Sequence, residues 1–331
     1  MPKEIIFPEK NSFVLGSYDD APLQPDEIRG PTVATLISQG TELGWADGDA
    51  FPIRPGYAAI FRVEEIGPEV TGIRKGDLRF CMGYHRQTQQ HPAIYTLPVP
   101  EGMAPERALL ARLMGVSMTT LMTTRARPGD KVVICGAGPV GILAAHNFAI
   151  GGYEVSVVEP DPLRREQVQK SGIAAVHSAM PLDDPDYQGK VALVVDCSGH
   201  EAAVLDGCKI VRKMGEVVLV GVPWRQYANL SAHEVLNAVF FNFVSLRSGW
   251  EWEIPVRSRD FVWEELLEGY NNAPHDSFGG FERALKWLNA GHVNTEGLVT
   301  TVRPDDPSTV YARIRSREIA EPFIAYDWES L

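Results

Sequence analysis

The stretch KVVICGAGPVGILAAHNFAI, residues 131–150, decides the fold of this chain. Its first five residues form an apolar run that is typical of a strand buried on both faces. The residues from Ile142 onward have the length and composition of a helix, and Gly136, Gly138 and Gly141 stand between the two. Glycines at this GxGxxG spacing, between a strand and a helix, predict a tight turn whose backbone can approach a ligand closely.

A second strand supports this interpretation. Residues 154–158 form another apolar run, and the run ends at Glu159, 23 residues after Gly136. A dinucleotide-binding unit typically consists of a strand, a glycine turn, a helix and a second strand that ends in an acidic residue. The sequence therefore predicts that this part of the chain binds a dinucleotide.

Each glycine of the turn has its own expected role. We expect Gly136 to permit the turn, Gly138 to admit the pyrophosphate, and Gly141 to let the helix pack against the strand. The pyrophosphate would lie at the helix N-terminus, where unpaired N–H groups and the helix dipole favour negative charge. The cofactor-binding residues predicted in this loop are Gly136, Gly138, Pro139, Val140 and Gly141.

Glu159 indicates which dinucleotide binds. A carboxylate at this position accepts hydrogen bonds from the adenosine ribose hydroxyls and repels a 2′-phosphate. The sequence therefore favours NAD over NADP. Arg164 and Arg165 follow closely, and either one could stack on the adenine or meet a 2′-phosphate; Arg164 is included in the predicted cofactor site.

Two further turns follow apolar strands of the same region. Cys197 and Ser198 come after the run at 191–195, and Gly221 comes after the run at 216–220. Because ligands bind beyond the carboxyl ends of parallel strands, both turns are predicted to flank the cofactor. Cys197 has no basic residue just before it, so we interpret it as a small residue beside the cofactor and not as a nucleophile.

The pattern along the chain indicates about two domains in its 331 residues. Residues 1–118 contain short apolar runs separated by Pro and Gly, which predicts a small barrel or sandwich. Residues 119–250 alternate strands with helices, which predicts an α/β fold with a doubly wound parallel sheet. Other expected elements are strands at 32–37, 58–63, 93–97 and 298–302 and helices at 105–124, 259–271, 280–290 and 308–316.

Composition limits the choice of partners. The net charge is −12, which disfavours nucleic acid or an anionic membrane as the main partner. The four cysteines are Cys81, Cys135, Cys197 and Cys208, and no two of them are close enough in the chain for a CxxC metal knuckle. Four cysteines in a chain of this length are also too few for the disulfide framework of a small secreted protein. The chain shows no signal-peptide pattern and no apolar stretch of ~20 residues, so we predict a cytoplasmic protein outside the membrane.

Six short motifs carry a resemblance that covers nearly the whole chain. They are PGY at 55–57, VEEIGPEV at 63–70, GD at 76–77, PGDKV at 128–132, VDCSG at 195–199 and GEVVLVG at 215–221. In this order they resemble the medium-chain dehydrogenase/reductase superfamily, of the zinc alcohol dehydrogenase type. The resemblance implies a GroES-like β-barrel substrate domain at 1–118, a Rossmann domain at 119–250, and a segment at 251–331 that returns to the substrate domain.

The resemblance also implies a dimer. The run FFNFVSL at 240–246 is apolar and lies near the end of the central domain. We predict that it is an exposed edge strand, which needs to be covered. Members of the superfamily commonly pair such a strand across a two-fold axis, so a homodimer is expected.

The chain departs from the superfamily at the metal. In zinc members the first ligand is a cysteine, and the matching residue here is Gln39; the second is a histidine, and the match is Tyr57. The stretch at 115–117 matches the region of the third ligand and supplies neither a cysteine nor an acidic residue. An amide and a phenol are poor zinc ligands, so we predict no bound metal.

Without a metal, side chains have to manage the proton that accompanies hydride transfer. Thr41 matches a hydroxyl that relays protons in zinc members, although it could also be a simple turn residue. Tyr57 could donate to a carbonyl oxygen, or it could fill the space of the metal. His85 has an intrinsic pKa near ~6.5, suited to proton exchange, but it could be an ordinary loop histidine.

The predicted function is zinc-independent hydride transfer between NAD(H) and a small secondary alcohol or ketone. A weaker resemblance of residues 36–42, 56–57 and 83–85 to dehydrogenases of cyclic and polycyclic alcohols adds a cyclic substrate as an option. Two alternatives stay open. One is an NAD(P)H-dependent quinone or enoyl reductase, and the other is a dinucleotide-binding protein without catalysis.

Overall fold

The structure is a computed structural model that describes residues 1–258 and 275–331. The chain forms two compact units: the first comprises Met1–Arg112 and Thr295–Leu331, and the second comprises Leu113–Asn294. The helix predicted at 259–271 lies outside the described residues. Within the described ranges, no helix is both long and apolar enough to cross a membrane.

The described residues form sixteen strands and nine α-helices. The strands are β1 (Lys3–Ile6), β2 (Val14–Ser17), β3 (Glu27–Ile37), β4 (Ala58–Arg62), β5 (Glu65–Ile66), β6 (Leu78–Cys81), β7 (Thr88–Pro92), β8 (Thr96–Pro98), β9 (Lys131–Cys135), β10 (Glu154–Val158), β11 (Val176–His177), β12 (Val191–Asp196), β13 (Val211–Leu219), β14 (Ser245–Ser248), β15 (Val299–Val302) and β16 (Phe323–Asp327). The α-helices are α1 (Gln39–Asp47), α2 (Pro105–Ala108), α3 (Leu110–Thr123), α4 (Pro139–Ile150), α5 (Pro162–Ser171), α6 (Glu201–Ile210), α7 (Ala232–Asn242), α8 (Ser277–Asn289) and α9 (Pro307–Arg315). Single turns of 3-10 helix lie at Ala93–Tyr95, Glu251–Glu253 and Trp328–Ser330.

Strand β3 organises the first unit. It pairs antiparallel with β5 and β7 along its first half and with β4 and β16 along its second half. A register shift between Thr32 and Ala34 falls where the two halves meet. A bent strand that is shared in this way curves a sheet towards the barrel that the sequence predicts. The principal sheet has the order β15-β16-β3-β4-β6-β8.

The second unit contains a six-stranded parallel sheet with the order β11-β10-β9-β12-β13-β14. Strands β9, β10, β12 and β13 are each followed by a helix, as the alternation in the sequence predicts. All six residues of β12 are buried, because a central parallel strand is covered on both faces. The strand order reverses at β9, so the loop after β9 lies at the switch point where doubly wound sheets bind ligands.

The chain returns to the first unit later than the sequence predicts. Residues 275–294 belong to the second unit, and the return starts at Thr295, whereas the sequence placed it at 251. Helix α8 accounts for the difference, because its buried face includes Phe278, Phe281 and Leu285. A Cβ atom built on Gly115 of α3 would lie 2.1 Å from the Phe281 ring, so the two helices pack closely.

Two strand predictions are wrong in part. Residues 93–97, predicted as a strand, begin with a 3-10 turn before β8. The run at 240–246, predicted as one edge strand, is divided between the end of α7 and β14. A capping box of Ser231 and Glu234 starts α7, and Phe243 ends it with a left-handed φ of 54°.

Candidate active site

The glycine turn after β9 has the predicted shape. Gly136 has a φ of 89°, and its N–H donates to the Val158 carbonyl at 2.8 Å. A Cβ atom on Gly141 would lie 1.9 Å from the Gly136 carbonyl oxygen, which is well inside van der Waals contact. Both glycines are therefore required by the packing of the protein itself.

Gly138 is different. Its φ of −69° suits any residue, and a Cβ atom built on it would meet no protein atom within 4 Å. The space in front of Gly138 is open, and it lies at the N-terminus of the 12-residue helix α4. Such a terminus presents unpaired N–H groups and the positive end of the helix dipole. The loop thus fits the pyrophosphate of a dinucleotide, with Pro139 and Val140 in the first helical turn.

Glu159 holds the glycine turn directly. Its carboxylate is buried, with 4% of the residue exposed. Oε2 accepts the Ala137 N–H at 2.7 Å, and Oε1 accepts the Asp161 N–H at 2.9 Å. Sequence reasoning expected only a contact with ribose; the structure adds a link between the acidic strand end and the second residue of the loop.

The two arginines after Glu159 differ in their contacts. Arg165 Nη1 donates to the carbonyl oxygens of Glu159 and Pro160, at 2.9 Å and 2.6 Å, so it stabilises the loop. Arg164 Nη1 lies 4.0 Å from Glu159 Oε2, and its side chain is 41% exposed. Arg164 is therefore the better placed of the two to meet a ligand beside the carboxylate.

The turns after β12 and β13 meet at the same edge of the sheet. The buried Asp196 carboxylate accepts the N–H groups of Ser198 and Gly199, at 3.0 Å and 3.1 Å. Desolvation by burial raises the pKa of Asp196, and these hydrogen bonds lower it in part. A Cβ atom on Gly221 would lie 2.4 Å from the Gly199 nitrogen, and one on Gly136 would lie 3.0 Å from Ser198 Cβ. The structure thus brings these predicted cofactor residues together.

Cys197 stands in this group with an unreactive thiol. Desolvation by burial raises its pKa well above the ordinary value, and the neighbouring Asp196 carboxylate raises it further. A thiol that stays protonated is a weak nucleophile. The geometry therefore supports the interpretation of Cys197 as a small packing residue.

In the first unit, Thr41 lies in the first turn of α1 and is half-buried. The next residue, Glu42, is completely buried, and its Oε1 accepts the Ser38 N–H at 2.8 Å. Ser38, the N-cap residue, makes no side-chain cap, and this hydrogen bond ties its backbone to the start of α1. The position of Thr41 thus depends on its buried neighbour.

His85 lies in the interior, at 0% exposure, and not on an open loop. Its Nδ1 lies 2.6 Å from Thr35 Oγ1, and its Nε2 lies 3.3 Å from each carboxylate oxygen of Glu42. Tyr311 donates its hydroxyl to Glu42 Oε2 at 2.5 Å. Burial raises the pKa of Tyr311 well above its ordinary value, so Tyr311 acts as a neutral donor. In this network His85 supports helix α1 through Glu42.

Sequence reasoning missed Glu42 and Tyr311. Glu42 directly follows Thr41 in the stretch that resembles the superfamily, and this adjacency was the available signal. Tyr311 offered none, because it comes from α9, far along the chain.

The chemistry of the residues at the expected metal positions does not fit a zinc ion. Gln39 Nε2 donates to the Pro322 carbonyl at 2.9 Å. The guanidinium carbon of Arg112 lies 4.2 Å from the centre of the Tyr57 ring, and Arg112 is 3% exposed. In the second unit, Ser117 Oγ accepts from Asn147 Nδ2 at 2.9 Å. An amide, a phenol and a nearby permanent cation do not fit a zinc dication.

Across residues 1–258 and 275–331, no group of three or more His, Cys, Asp or Glu side chains is arranged to hold a metal ion. Arg112 is the residue of this region that sequence reasoning did not single out. Its signal was the presence of one charged side chain in the otherwise uncharged sequence LARLMGVSMTTLMT of α3.

Comparisons with known proteins extend these findings. A family model described as "Zinc-binding dehydrogenase" matches residues 139–247. The L-galactonate-5-dehydrogenase of Escherichia coli is 30% identical over 143 residues, which cover 40% of this chain and 40% of that protein. The L-threonine 3-dehydrogenase of Pyrococcus abyssi is 26% identical over 313 residues, covering 81% of this chain and 89% of that protein.

Solved structures show the same fold. Galactitol-1-phosphate dehydrogenase from Escherichia coli superimposes with a TM-score of 0.78 at 13% identity, covering 98% of this chain and 99% of that one. The chain therefore has the two-domain fold of the medium-chain alcohol dehydrogenases, and the prediction of a GroES-like barrel with a Rossmann domain is confirmed.

Proposed function

We propose that the chain is a zinc-independent oxidoreductase that transfers a hydride between NAD(H) and a secondary alcohol or ketone. The observation that carries this proposal is the open space at Gly138, between the start of α4 and a loop that Glu159 holds. The relatives are named as dehydrogenases of hydroxylated small molecules, which supports an alcohol as the substrate class. A cyclic substrate stays one option within that class.

NAD is the proposed cofactor because of the charge beside the loop. The Glu159 carboxylate is buried next to the glycine turn, and a 2′-phosphate would have to approach this negative charge. Arg164, at 4.0 Å, offsets part of the repulsion. Like charges in a partly buried site repel more strongly than in water, so we expect NAD to bind more tightly than NADP.

Bound NADH supplies the hydride; the residues of the first unit bind the substrate and supply the proton. We assign proton exchange with the substrate oxygen to Thr41 Oγ1, which is half-buried at the start of α1. Tyr57 orients the substrate with its half-buried ring and hydroxyl. His85 acts as a positioning residue, because its contact with Glu42 holds the turn that carries Thr41.

The two arms of one experiment test this proposal. Fluorescence titration with NADH and NADPH measures cofactor affinity, and we expect NADH to bind at least tenfold more tightly. Steady-state assays with aliphatic and cyclic secondary alcohols, together with elemental analysis of the same preparation, measure activity and zinc. Tighter NADPH binding with reduction of an enone or a quinone would favour a C=C reductase, and stoichiometric zinc would contradict the proposed chemistry.

We also propose that the protein is a homodimer. Strand β14 is the last strand of the parallel sheet as far as the described residues go. Just before it in the chain, Phe240, Phe241 and Phe243 are 72%, 64% and 62% exposed. An unpaired strand edge next to exposed aromatic side chains is a surface that soluble proteins normally cover. Sedimentation equilibrium should give twice the mass of the chain; a monomer at micromolar concentration would contradict this assembly.

A further inference from the structure

We propose that Trp224 is a further cofactor-binding residue, whose indole covers the nicotinamide half of the dinucleotide. The inference rests on the proposed function, in which a dinucleotide binds at the glycine turn. It starts from the loop between β13 and α7, residues 220–231, because this loop leaves the same edge of the parallel sheet as the glycine turn. Its side chains are therefore candidates to meet the part of the dinucleotide that extends away from the turn.

The order of the strands indicates which half of the dinucleotide this loop would meet. The glycine turn follows β9, with β10 and its terminal Glu159 on one side and with β12 and β13 on the other. If Glu159 binds the adenosine ribose, the nicotinamide half has to extend over β12 and β13. Because neighbouring strands are ~4.8 Å apart, the end of β13 lies only two such steps from the turn. The loop after β13 is thus beside the expected position of the nicotinamide.

The start of the loop is held against the turn after β12. Gly221 donates its N–H to the Asp196 carbonyl at 2.7 Å, and a Cβ atom built on Gly199 would lie 2.6 Å from the Val222 carbonyl oxygen. The Trp224 N–H donates to the same Val222 oxygen at 2.9 Å and closes a three-residue turn. The backbone of Trp224 is therefore tied to the two turns that flank the predicted cofactor site.

The far end of the loop is fixed as well. The Glu201 carboxylate, in the first turn of α6, accepts the N–H groups of Tyr227 and Ala228 at 3.2 Å and 3.0 Å. The Tyr227 ring stacks on the His200 ring, and the ring centres are 5.3 Å apart. A loop that is fixed at both ends loses little conformational freedom when a ligand binds, so its contacts contribute more fully to affinity.

Trp224 is the aromatic side chain of this loop that is left without a partner. The residue is 45% exposed, and within the part of the chain that the structure describes its indole forms no hydrogen bond, ring stack or cation–π contact. An indole offers a large flat apolar face and one N–H donor. Such a face fits a flat ring such as nicotinamide, and covering it on binding removes apolar surface from water.

The consequence is selectivity for the complete dinucleotide. Nucleotides that lack nicotinamide, such as ADP-ribose, carry the same adenosine and pyrophosphate groups. The glycine turn and Glu159 therefore cannot distinguish them from the cofactor. A contact with the nicotinamide adds affinity that only the complete dinucleotide obtains.

The test compares NADH with ADP-ribose on the full-length protein by isothermal titration calorimetry. For Trp224→Ala we expect NADH to bind about tenfold more weakly, because one aromatic contact is lost, and ADP-ribose to bind within twofold of the wild type. Trp224→Phe keeps a flat ring and should stay within threefold for NADH.

The matched control is Trp250→Ala. Trp250 is 61% exposed and follows β14, which lies one strand further from the glycine turn than β13. The control should bind both ligands within twofold of the wild type. An equal loss of NADH affinity in Trp250→Ala would overturn the inference, since the effect would then not belong to the loop after β13.

A second readout uses the intact protein and does not depend on how well a variant folds. The chain has seven tryptophans, which are labelled with 5-fluorotryptophan for fluorine NMR. The Trp224 resonance is identified as the one that is lost in Trp224→Phe. We expect this resonance to shift on addition of NADH and to stay in place on addition of ADP-ribose. A merely structural role of Trp224 would not produce this difference between the two ligands.

The outcomes separate this inference from the proposed function. If both ligands bind and the Trp224 resonance shifts with neither or with both, the inference is overturned and the dinucleotide site stands. If sedimentation shows that Trp224→Ala changes the assembly state, the indole belongs to a subunit contact, and the inference is likewise overturned. If NADPH binds in place of NADH and shifts the resonance, the inference stands and the preference for NAD fails. If no dinucleotide binds to the wild type, both fail.

Discussion

The hydroxyl of Tyr311 donates to the carboxylate of Glu42 at 2.5 Å, and the two residues are 269 positions apart in the chain. Both side chains are completely buried. This hydrogen bond connects α9, in the returning C-terminal segment, with α1, which carries Thr41. The candidate proton-transfer residue is thus held in place by the part of the chain that returns to the first unit.

Replacement of Tyr311 with phenylalanine removes this donor and leaves a buried carboxylate with one partner fewer. A hydrogen bond to a charged group contributes roughly 1.5–3 kcal/mol, so we expect a loss of that size in the free energy of unfolding. Urea denaturation followed by circular dichroism measures it. The control is Tyr153→Phe, which removes a hydroxyl that donates to the neutral Ala126 carbonyl at 3.2 Å and should lose about 1 kcal/mol. Equal losses would contradict the importance of Glu42.

His85→Gln separates positioning from direct catalysis. Glutamine can still donate to Glu42 and contact Thr35, but it lacks the imidazole ring that could take up and release a proton. Because His85 is completely buried, we expect kcat to fall less than tenfold and the melting temperature to decrease by several degrees. A loss of kcat of about 1,000-fold at unchanged melting temperature would instead assign the proton transfer to His85.

The sequence could predict the placement of those candidate site residues that follow the strands of the parallel sheet. The glycine turn, Glu159 and the turns at Ser198 and Gly221 follow from strand ends, because parallel strands bring their carboxyl ends to one edge. The His85 network cannot be predicted in this way, since His85 is 50 residues from Thr35 and 43 residues from Glu42, and Tyr311 is 269 residues from Glu42. The return point was missed for a similar reason: the sequence predicts a helix at 280–290, but the unit to which this helix belongs depends on its packing against α3, which is a long-range contact.

The burial of His146 makes the stability of the protein depend on pH. Desolvation by burial lowers its pKa from 6.5 to about 4, and its Nε2 lies 2.9 Å from Ser171 Oγ. The unfolded chain therefore binds a proton that the folded protein does not bind between these two pKa values. The contribution of the neutral, buried His146 to the free energy of unfolding is present above pH 6.5 and is lost as the pH falls towards 4.

The expected size follows from this difference in pKa. Because each pKa unit corresponds to about 1.4 kcal/mol, His146 makes the protein up to ~3 kcal/mol less stable at pH 4 than at pH 7. Urea denaturation of His146→Gln at both values measures the change, and the variant should lose correspondingly less on acidification. Exposed His233, changed to Gln, is the control and should leave the wild-type difference intact. An identical pH response of wild type and His146→Gln would contradict the assignment.

Glu159→Gln tests the cofactor preference. The amide oxygen can accept only one of the two backbone N–H groups that the carboxylate accepts, those of Ala137 and Asp161, and the negative charge beside the loop is removed. We expect NADPH affinity to rise at least tenfold, about 1.4 kcal/mol, and NADH affinity to fall by less than that. Fluorescence titration of the two cofactors gives both values. If Glu159→Gln leaves the ratio unchanged, the charge of Glu159 does not set the preference, and Arg164 becomes the residue to vary.

Gly138 and Gly141 form a matched pair, because the same substitution should have opposite effects on stability and binding. Alanine at 141 would place its Cβ 1.9 Å from the Gly136 carbonyl oxygen, so the turn has to move; we expect a loss of more than about 2 kcal/mol in the free energy of unfolding. Alanine at 138 meets no protein atom within 4 Å and has an ordinary φ, so stability should change by less than about 0.5 kcal/mol.

Binding should show the reverse distinction. The methyl group of Gly138→Ala points into the open space that we assign to the pyrophosphate, so NADH affinity should fall at least 30-fold in a protein that is as stable as the wild type. Denaturation and NADH titration on the same preparations measure both properties. An alanine at 138 that binds NADH normally would mean that the dinucleotide does not pass in front of Gly138. Because the substitution leaves the fold unchanged, that result would count directly against the cofactor site and not against the stability of the loop.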